Sequence, residues 1–161
     1  MRAVVNMPEV QSRPAHPTDV RLYFEWANDP QTRQQSFNAE PISWENHEAW
    51  FARKMADPNA LLLVFDTDDN VPVGQVRFEK QANGEVIIGV SVDKDFRGRG
   101  LASVLIREAC TDCRVKWGNV PVTAYIKPEN VASVRAFGKA GFGGLHQSSK
   151  FGVESVCLTF R

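Results

Sequence analysis

The segment Arg97-Gly98-Arg99-Gly100 places two arginines and two glycines directly before an amphipathic helical pattern. A helix N-terminus leaves four backbone N–H groups without partners, and the aligned peptide dipoles add a partial positive charge. Glycines let an anion approach the backbone, and guanidinium groups suit phosphate oxygens. The segment therefore predicts a phosphate or pyrophosphate site. A tight strand-to-helix turn with solvated arginines is the structural alternative.

The glycine spacing separates this loop from two common phosphate-binding loops. The segment lacks the Gly-Lys-Ser/Thr ending of a Walker loop. Its glycines also do not follow the Gly-x-Gly-x-x-Gly pattern of dinucleotide-binding proteins. The ligand class must therefore be inferred from the elements that surround the loop.

Length and composition predict one globular domain. The chain has 161 residues, of which 43% are hydrophobic, and 19 basic residues balance 19 acidic ones. A zero net charge argues against a nucleic-acid partner, because such domains usually carry a basic excess. We expect no membrane segment, no signal peptide and no metal site. Cys110, Cys113 and Cys157 are expected to be free thiols in the cytoplasm.

Apolar periodicity predicts an α/β domain with a mixed sheet. Three strands with short connections are expected to be antiparallel, and the helix after the glycine-arginine loop should connect parallel neighbours. The predicted strands are 9–15, 60–66, 71–79, 85–93, 120–126 and 154–160. The predicted helices are 19–27, 43–57, 101–117 and 128–142, with Ser43 and Asn130 as N-caps.

Two motifs resemble those of the GNAT N-acetyltransferase superfamily. Arg97, Gly100 and Ala102 fit its Arg/Gln-x-x-Gly-x-Gly/Ala loop, and "NVASVRAFGKAGF" resembles its Asn-x-x-Ser…Phe/Tyr-x-x-x-Gly-Phe helix. The resemblance covers nearly the whole chain. It implies a single-domain GNAT fold at 1–161, whose mostly antiparallel sheet is splayed between its central strands and flanked by helices.

The resemblance also implies acetyl-CoA as the acetyl donor. The loop amides would hold the pyrophosphate, the preceding strand would pair with the pantetheine arm, and a backbone N–H near Val92 would polarise the thioester carbonyl. The implied cofactor-binding residues are Val90, Ser91, Val92, Arg97, Gly98, Arg99, Gly100, Leu101, Ala102, Asn130, Ser133 and Phe137.

The acid and the base are predicted less directly. A Tyr often serves as the acid in the family, but Phe137 stands at its position, so Tyr125 is the candidate substitute and a structural tyrosine is the alternative. Glu85 is a candidate base, with a solvated carboxylate at a hairpin end as the alternative. His47 is the other candidate base, with a packed histidine as the alternative.

The front of the chain is expected to select the amine. Arg33, Ser36, Ile42, His47 and Trp50 resemble the pattern of UDP-amino-sugar N-acetyltransferases of pseudaminic acid biosynthesis. This resemblance implies a UDP-linked 4-amino-4,6-dideoxy sugar as acceptor. The implied substrate-binding residues are Asn28, Arg33, Trp50 and Arg77.

Two other functions stay open at the sequence level. One is the acetylation of ribosomal-protein or other peptide N-termini, or of another small-molecule amine. The other is a non-catalytic acetyl-CoA sensor or module, because Phe137 replaces the usual acid. The resemblance also leaves a homodimer open.

Overall fold

The predicted strands lie in one seven-stranded sheet in the computed structural model, which describes residues 9–161. The strands are β1 (Val10–Pro14), β2 (Ala60–Thr67), β3 (Pro72–Lys80), β4 (Val86–Val92), β5 (Val122–Ile126), β6 (Gly143–Ser148) and β7 (Ser155–Phe160). Their order across the sheet is β1-β2-β3-β4-β5-β7-β6. All neighbours are antiparallel except β4 and β5, which confirms the predicted mixed, mostly antiparallel sheet.

Helices cover both faces of this sheet. They are α1 (Val20–Ala27), α2 (Pro30–Gln35), α3 (Trp44–Met55), α4 (Leu101–Trp117) and α5 (Val131–Lys139). Ser43 caps α3, since its hydroxyl accepts a hydrogen bond from the N–H of Asn46, and Asn130 caps α5 through the N–H of Ser133. Both caps confirm the sequence-based boundaries.

Two elements differ from the sequence-based expectation. Helix α2 was not predicted from the sequence, yet Asp29 caps it and Pro30 occupies its first turn, where the missing proline N–H costs nothing. The edge strand β6 was also not predicted, because its "GGLHQS" sequence lacks the alternation of a half-buried strand.

The sheet is splayed between its central strands, as predicted. β4 and β5 pair in parallel only at Val86–Val122 and Ile87–Thr123. The N–H of Asp93 donates to Val73 on β3, so the alternation of a strand turns the N–H groups of residues 90 and 92 toward the gap. The gap therefore exposes a row of backbone donors and acceptors that β5 does not satisfy.

Two apolar cores lie on opposite faces of the sheet. The larger core packs α4 and α5 against one face of the sheet, around Phe65, Phe78 and Leu105. The smaller core packs α1 and α3 against the other face, around Tyr23 and Val64. The larger core continues across the gap from Phe78 on β3 to Val122 on β5, so the two halves of the sheet stay joined on the α4 face.

His47 joins α3 to α1 inside the smaller core. Its side chain is 2% exposed, and its Nε2–H donates to the carbonyl oxygen of Val20 at 2.8 Å. The centroids of four aromatic rings lie 5.3 to 6.1 Å from the centroid of the His47 ring: Phe24, Trp44, Trp50 and Phe51. Burial lowers the pKa of His47. The ring is therefore neutral in the folded protein at neutral pH.

This burial predicts a specific acid sensitivity of the fold. Below a pH of about 6.5 the unfolded chain protonates His47 while the folded protein does not, so the free energy of unfolding falls as pH falls. His47→Gln should remove this component, which has a maximum slope of about 1.4 kcal/mol per pH unit. Urea unfolding at several pH values between about 7.5 and 5.5 measures how the free energy of unfolding changes with pH. The exposed His146→Gln should keep the wild-type slope, and an unchanged slope in His47→Gln would contradict the assignment.

Candidate functional site

The N-terminus of α4 is built to receive an anion. Gly100 is the N-cap with φ 71°, no side chain caps the helix, and Gly98 also has a positive φ of 77°. A Cβ at either glycine would meet no atom within 4 Å, so the space beside the backbone is open. The first-turn N–H groups, which include those of Leu101 and Ala102, can therefore bind phosphate oxygens directly.

The two arginines of the loop have different tasks. The Arg97 side chain donates to the carbonyl of Val92 at 3.0 Å and to the Asp29 carboxylate at 2.7 Å. This corrects the prediction that its guanidinium contacts phosphate, because Asp29 neutralises the charge and holds it toward α2. Arg99 is exposed and lies over the Phe96 ring at 5.5 Å. Arg99 is therefore the arginine of this loop with a free guanidinium.

The edge of β4 beside the gap offers alternate residues to a ligand. The backbone groups of Val90 and Val92 face the gap, whereas those of Ser91 face β3. The Ser91 hydroxyl instead accepts a hydrogen bond from the Gln75 amide at 3.2 Å. The carbonyl of Val92 is already occupied by Arg97. A pantetheine-like chain would thus meet Val90 and the N–H of Val92, but not the backbone of Ser91.

The predicted cofactor residues of α5 do not act alike. Asn130 and Ser133 form the helix cap, with a 3.3 Å hydrogen bond from the Ser133 N–H to the Asn130 side chain. Phe137 is 3% exposed and packs edge-on against Phe142 at 5.0 Å. The structure therefore places Phe137 in the main core, which corrects the prediction that its side chain lines the cofactor.

Tyr125 and Glu85 meet on the face of the sheet opposite α4. The Tyr125 hydroxyl donates to the Glu85 carboxylate at 2.7 Å, and Lys150 binds the other carboxylate oxygen. Burial alone would raise the pKa of Glu85, but the hydrogen bonds from Lys150 and Tyr125 outweigh it and lower the pKa. Burial and the bond to Glu85 raise the pKa of Tyr125. At neutral pH Glu85 is a carboxylate and Tyr125 keeps its proton.

Two loops close over this pair. Phe151, in the β6–β7 loop, packs edge-on against Tyr125 at 5.2 Å and stacks on Phe37 of the α2–α3 loop at 5.0 Å. Lys127 donates to the carbonyl of Gln34 at 2.8 Å. The two halves of the sheet are thereby bridged above the gap. Sequence reasoning missed Phe37, Lys150 and Phe151, because their partners are distant in the chain.

Two of the predicted substrate-binding residues hold loops instead. The Asn28 amide bonds both backbone groups of Ile42, at 2.9 and 2.8 Å. Arg33 donates to the carbonyls of Ala27 at 2.6 Å and of Asn38 at 2.9 Å. These contacts shape the connection from α1 to α3. They correct the prediction that the two side chains are free for a substrate.

Trp50 and His47 belong to the packing between α1 and α3. Their rings lie 5.8 Å apart in the smaller core. His47 is buried and its Nε2–H is engaged with Val20, so the structure argues against its prediction as the general base. Trp26 is 5% exposed and packs in the smaller core, while its indole N–H donates to Asp93 at 2.9 Å.

Arg77 differs from the other predicted substrate-binding residues. It lies on β3 opposite Gly89, and a Cβ at Gly89 would stand 2.7 Å from its guanidinium carbon. Gly89 belongs to the part of β4 that has separated from β5. The guanidinium therefore lies against the floor of the gap, on the same sheet face as Tyr125 and Glu85.

Residues 9–161 hold neither a metal-binding cluster nor a membrane-spanning helix. No three His, Cys, Asp or Glu side chains of this part of the chain gather as a metal site requires. None of its helices combines the length and apolarity that a membrane crossing needs. Cys110, Cys113 and Cys157 are buried free thiols, as expected, and burial raises the pKa of Cys110 to about 12.

Comparison with known proteins identifies the fold and the family. Aminoglycoside acetyltransferase AAC(6')-Ib with coenzyme A has a TM-score of 0.81 at 14% identity, over 94% of each chain. Spermidine N-acetyltransferase from Vibrio cholerae with CoA and spermine has a TM-score of 0.79 at 18% identity, over 93% of each chain. At these low identities, the TM-scores show a shared fold alone. No curated protein matches the sequence.

The family follows from the sequence match. The model of the acetyltransferase (GNAT) domain matches residues 10–143, which run from β1 to the first residue of β6. This segment contains the α4 N-terminus, the splayed strands and the tyrosine–carboxylate pair. The protein therefore belongs to the GNAT acetyltransferase domain family.

Proposed function

We propose that the protein transfers an acetyl group from acetyl-CoA to a primary amine of a small molecule. The observation that carries this proposal is the uncapped N-terminus of α4 next to the splayed edge of β4. An anion site and a row of free backbone groups adjoin each other there. Together they match a ligand that has a pyrophosphate at one end and an amide-bearing arm at the other.

The chain's own groups would hold acetyl-CoA. Backbone N–H groups from Gly98 to Ala102 would bind the pyrophosphate, and the exposed Arg99 adds positive charge. The gap-facing backbone of Val90 and the N–H of Val92 would pair with the arm. The bound thioester supplies an activated acyl group, and a gap-facing N–H would stabilise negative charge on its oxygen.

Tyr125 is the proposed proton donor. It lies beyond Thr123, the last residue of β5 that pairs with β4, and its raised pKa keeps the hydroxyl protonated. Glu85 orients this hydroxyl and remains ionised because its pKa is lowered. We propose that Tyr125 protonates the departing coenzyme A thiolate, and that Glu85 takes the proton of the attacking amine through water and passes it back to Tyr125.

The proposed acceptor is a UDP-linked 4-amino-4,6-dideoxy sugar. The sequence resemblance supports it, and so does the Phe37–Phe151 stack, which presents apolar ring surface to a sugar or uracil face. Arg77 supplies positive charge for the diphosphate. Arg33, His47 and Trp50 support this acceptor only indirectly, because they fix the loops that wall the site. The cytoplasmic location and the homodimer stay predictions.

The anion site is tested by a charge at the helix N-terminus. Gly100→Glu should weaken acetyl-CoA binding at least about tenfold, because its carboxylate would repel the pyrophosphate at the positive end of α4. Isothermal calorimetry measures the Kd. Gly118→Glu is the matched control, since Gly118 ends the same helix with a positive φ and open space at Cβ. Equal affinities of the two variants would contradict the site.

The acceptor is tested by coenzyme A release with a panel of amines. The UDP-linked 4-amino-4,6-dideoxy sugar should give the highest kcat/KM, since the site offers both apolar rings and a guanidinium. An N-terminal peptide of a ribosomal protein is the competing acceptor. Turnover confined to the peptide would overturn the sugar assignment. Tight acetyl-CoA binding without turnover of any amine would favour a sensor.

The proton donor is tested by Tyr125→Phe. This change removes the hydroxyl and keeps the ring contacts with Phe151, so kcat should fall about 10- to 100-fold with little change in acetyl-CoA affinity. Single-turnover kinetics separate the chemical step from binding. Tyr23→Phe removes a hydroxyl that bonds only the carbonyl of Leu63 in the smaller core, and should preserve kcat. A full wild-type kcat in Tyr125→Phe would exclude the role.

A further inference from the structure

Arg77 stands out because it has no hydrogen-bond or salt-bridge partner among residues 9–161. The other half-buried arginines are engaged: Arg13 with Asp19 and Asp66, Arg33 with backbone carbonyls, and Arg97 with Asp29. Arg77 is half-buried as well, yet none of its N–H groups finds a protein acceptor. A forked donor without an acceptor at the floor of a cleft suits an oxyanion from outside the protein.

The absence of a side chain at Gly89 leaves room for the Arg77 guanidinium. At Gly89 a Cβ would lie 2.7 Å from the guanidinium carbon and 2.9 Å from both terminal nitrogens. Any other residue at position 89 would therefore displace Arg77. Gly89 has an ordinary backbone conformation, since it is absent from the glycines with positive φ, so the close approach of Arg77 is what this glycine permits.

The surrounding charges leave this part of the cleft positive. Three carboxylates of the surrounding elements have a cationic partner, namely Glu79 with Lys54, Glu85 with Lys150 and Asp29 with Arg97, while Asp93 accepts hydrogen bonds from the Trp26 indole and the Asp95 N–H. Arg33 binds only carbonyl and hydroxyl oxygens, and burial and then the charge of Arg77 lower the pKa of Arg33. Two guanidiniums thus share one electrostatic neighbourhood without a carboxylate between them. A polycationic acceptor would be repelled here.

The pyrophosphate site does not account for Arg77. Gly89 precedes Val92 by three residues, which is about 10 Å along a strand, and the loop 93–97 adds further distance before the α4 N-terminus. Arg77 also lies on the sheet face opposite α4, beside the tyrosine–carboxylate pair. An anion held by Arg77 would therefore be distinct from the pyrophosphate.

We infer that the acceptor carries a phosphate or carboxylate group near its amine and that Arg77 binds this group. The inference rests on the proposed acetyltransferase function and names the charge class of its acceptor. The diphosphate of a nucleotide sugar and the carboxylate of an amino acid share the required chemistry. Uncharged amines and polyamines lack it.

Matched pairs of amines test the inference with the wild-type protein saturated with acetyl-CoA. Glucosamine 6-phosphate is compared with glucosamine, leucine with leucinamide, and the UDP-amino sugar with its free amino sugar; spermidine is the cationic probe. At least one anionic member should exceed its neutral partner by about 10- to 100-fold in kcat/KM, the effect of one charge-assisted contact. Equal rates within every pair, or a preference for spermidine, would overturn the inference.

Three variants locate the effect at Arg77. Arg77→Gln should abolish the preference within the pair, and Arg77→Lys should restore part of it because the charge returns without the fork. Gly89→Ala should reproduce Arg77→Gln by displacing the guanidinium, while Gly143→Ala, with open space at Cβ, should behave as wild type. If Arg77→Gln lowers the rates with both members of a pair equally, Arg77 is structural and the inference fails.

A binding measurement decides the matter if no amine turns over. Acetate and inorganic phosphate are titrated by NMR into protein saturated with coenzyme A, so that the α4 site is filled. Binding of either anion at about 10 mM that is lost in Arg77→Gln supports the inference, and no difference between the two proteins overturns it. Failure of Gly100→Glu to weaken acetyl-CoA binding would instead count against the proposed function alone.

Discussion

The broken pairing between β4 and β5 is the constraint on which the rest of the molecule depends. Only two residue pairs join these strands, although β4 continues for five more residues. Unpaired backbone groups in a sheet interior are costly unless water or a ligand satisfies them. On the α4 face one apolar core, built from residues of β3, β4, β5 and α4, continues across both sides of the gap and holds them together.

Long-range polar contacts keep the gap open in a defined shape. Arg97 ties the end of β4 to Asp29 at the start of α2, and Trp26 of α1 ties to Asp93. On the other side, Lys127 reaches Gln34 and Phe151 stacks on Phe37. The segment that would bind the donor and the helices that wall the acceptor are thus joined by the same contacts.

Sequence reasoning succeeded where a feature is encoded within one segment. The strands of the meander, the long helix and the caps Ser43 and Asn130 follow from local periodicity and local hydrogen bonding. The α4 N-terminus was found because its glycines act on their own backbone. Short elements without an apolar pattern were missed. An example is β6, whose residues are mostly exposed and show no alternation of buried and exposed positions.

Side-chain roles were mistaken where a partner distant in the chain decides them. Arg97 fits a phosphate by its type, but Asp29, which is 68 residues away, takes its guanidinium. Asn28 and Arg33 look like surface polar residues in the sequence. In the structure, however, their side chains form hydrogen bonds with backbone groups up to 14 residues away. Arg77 would look the same in the sequence, and only the folded arrangement shows that no partner among residues 9–161 reaches it.

The proposed donor site can therefore be recognised in one stretch of the sequence, whereas the proposed acceptor site is assembled from several segments. Tyr125 comes from β5, Glu85 from the turn before β4, Lys150 from the β6–β7 loop and Arg77 from β3. Each can change without disturbing the α4 N-terminus, because backbone amides hold that site. We propose that the charge balance among these side chains sets the acceptor specificity. In this protein that balance leaves a guanidinium free at the floor of the gap.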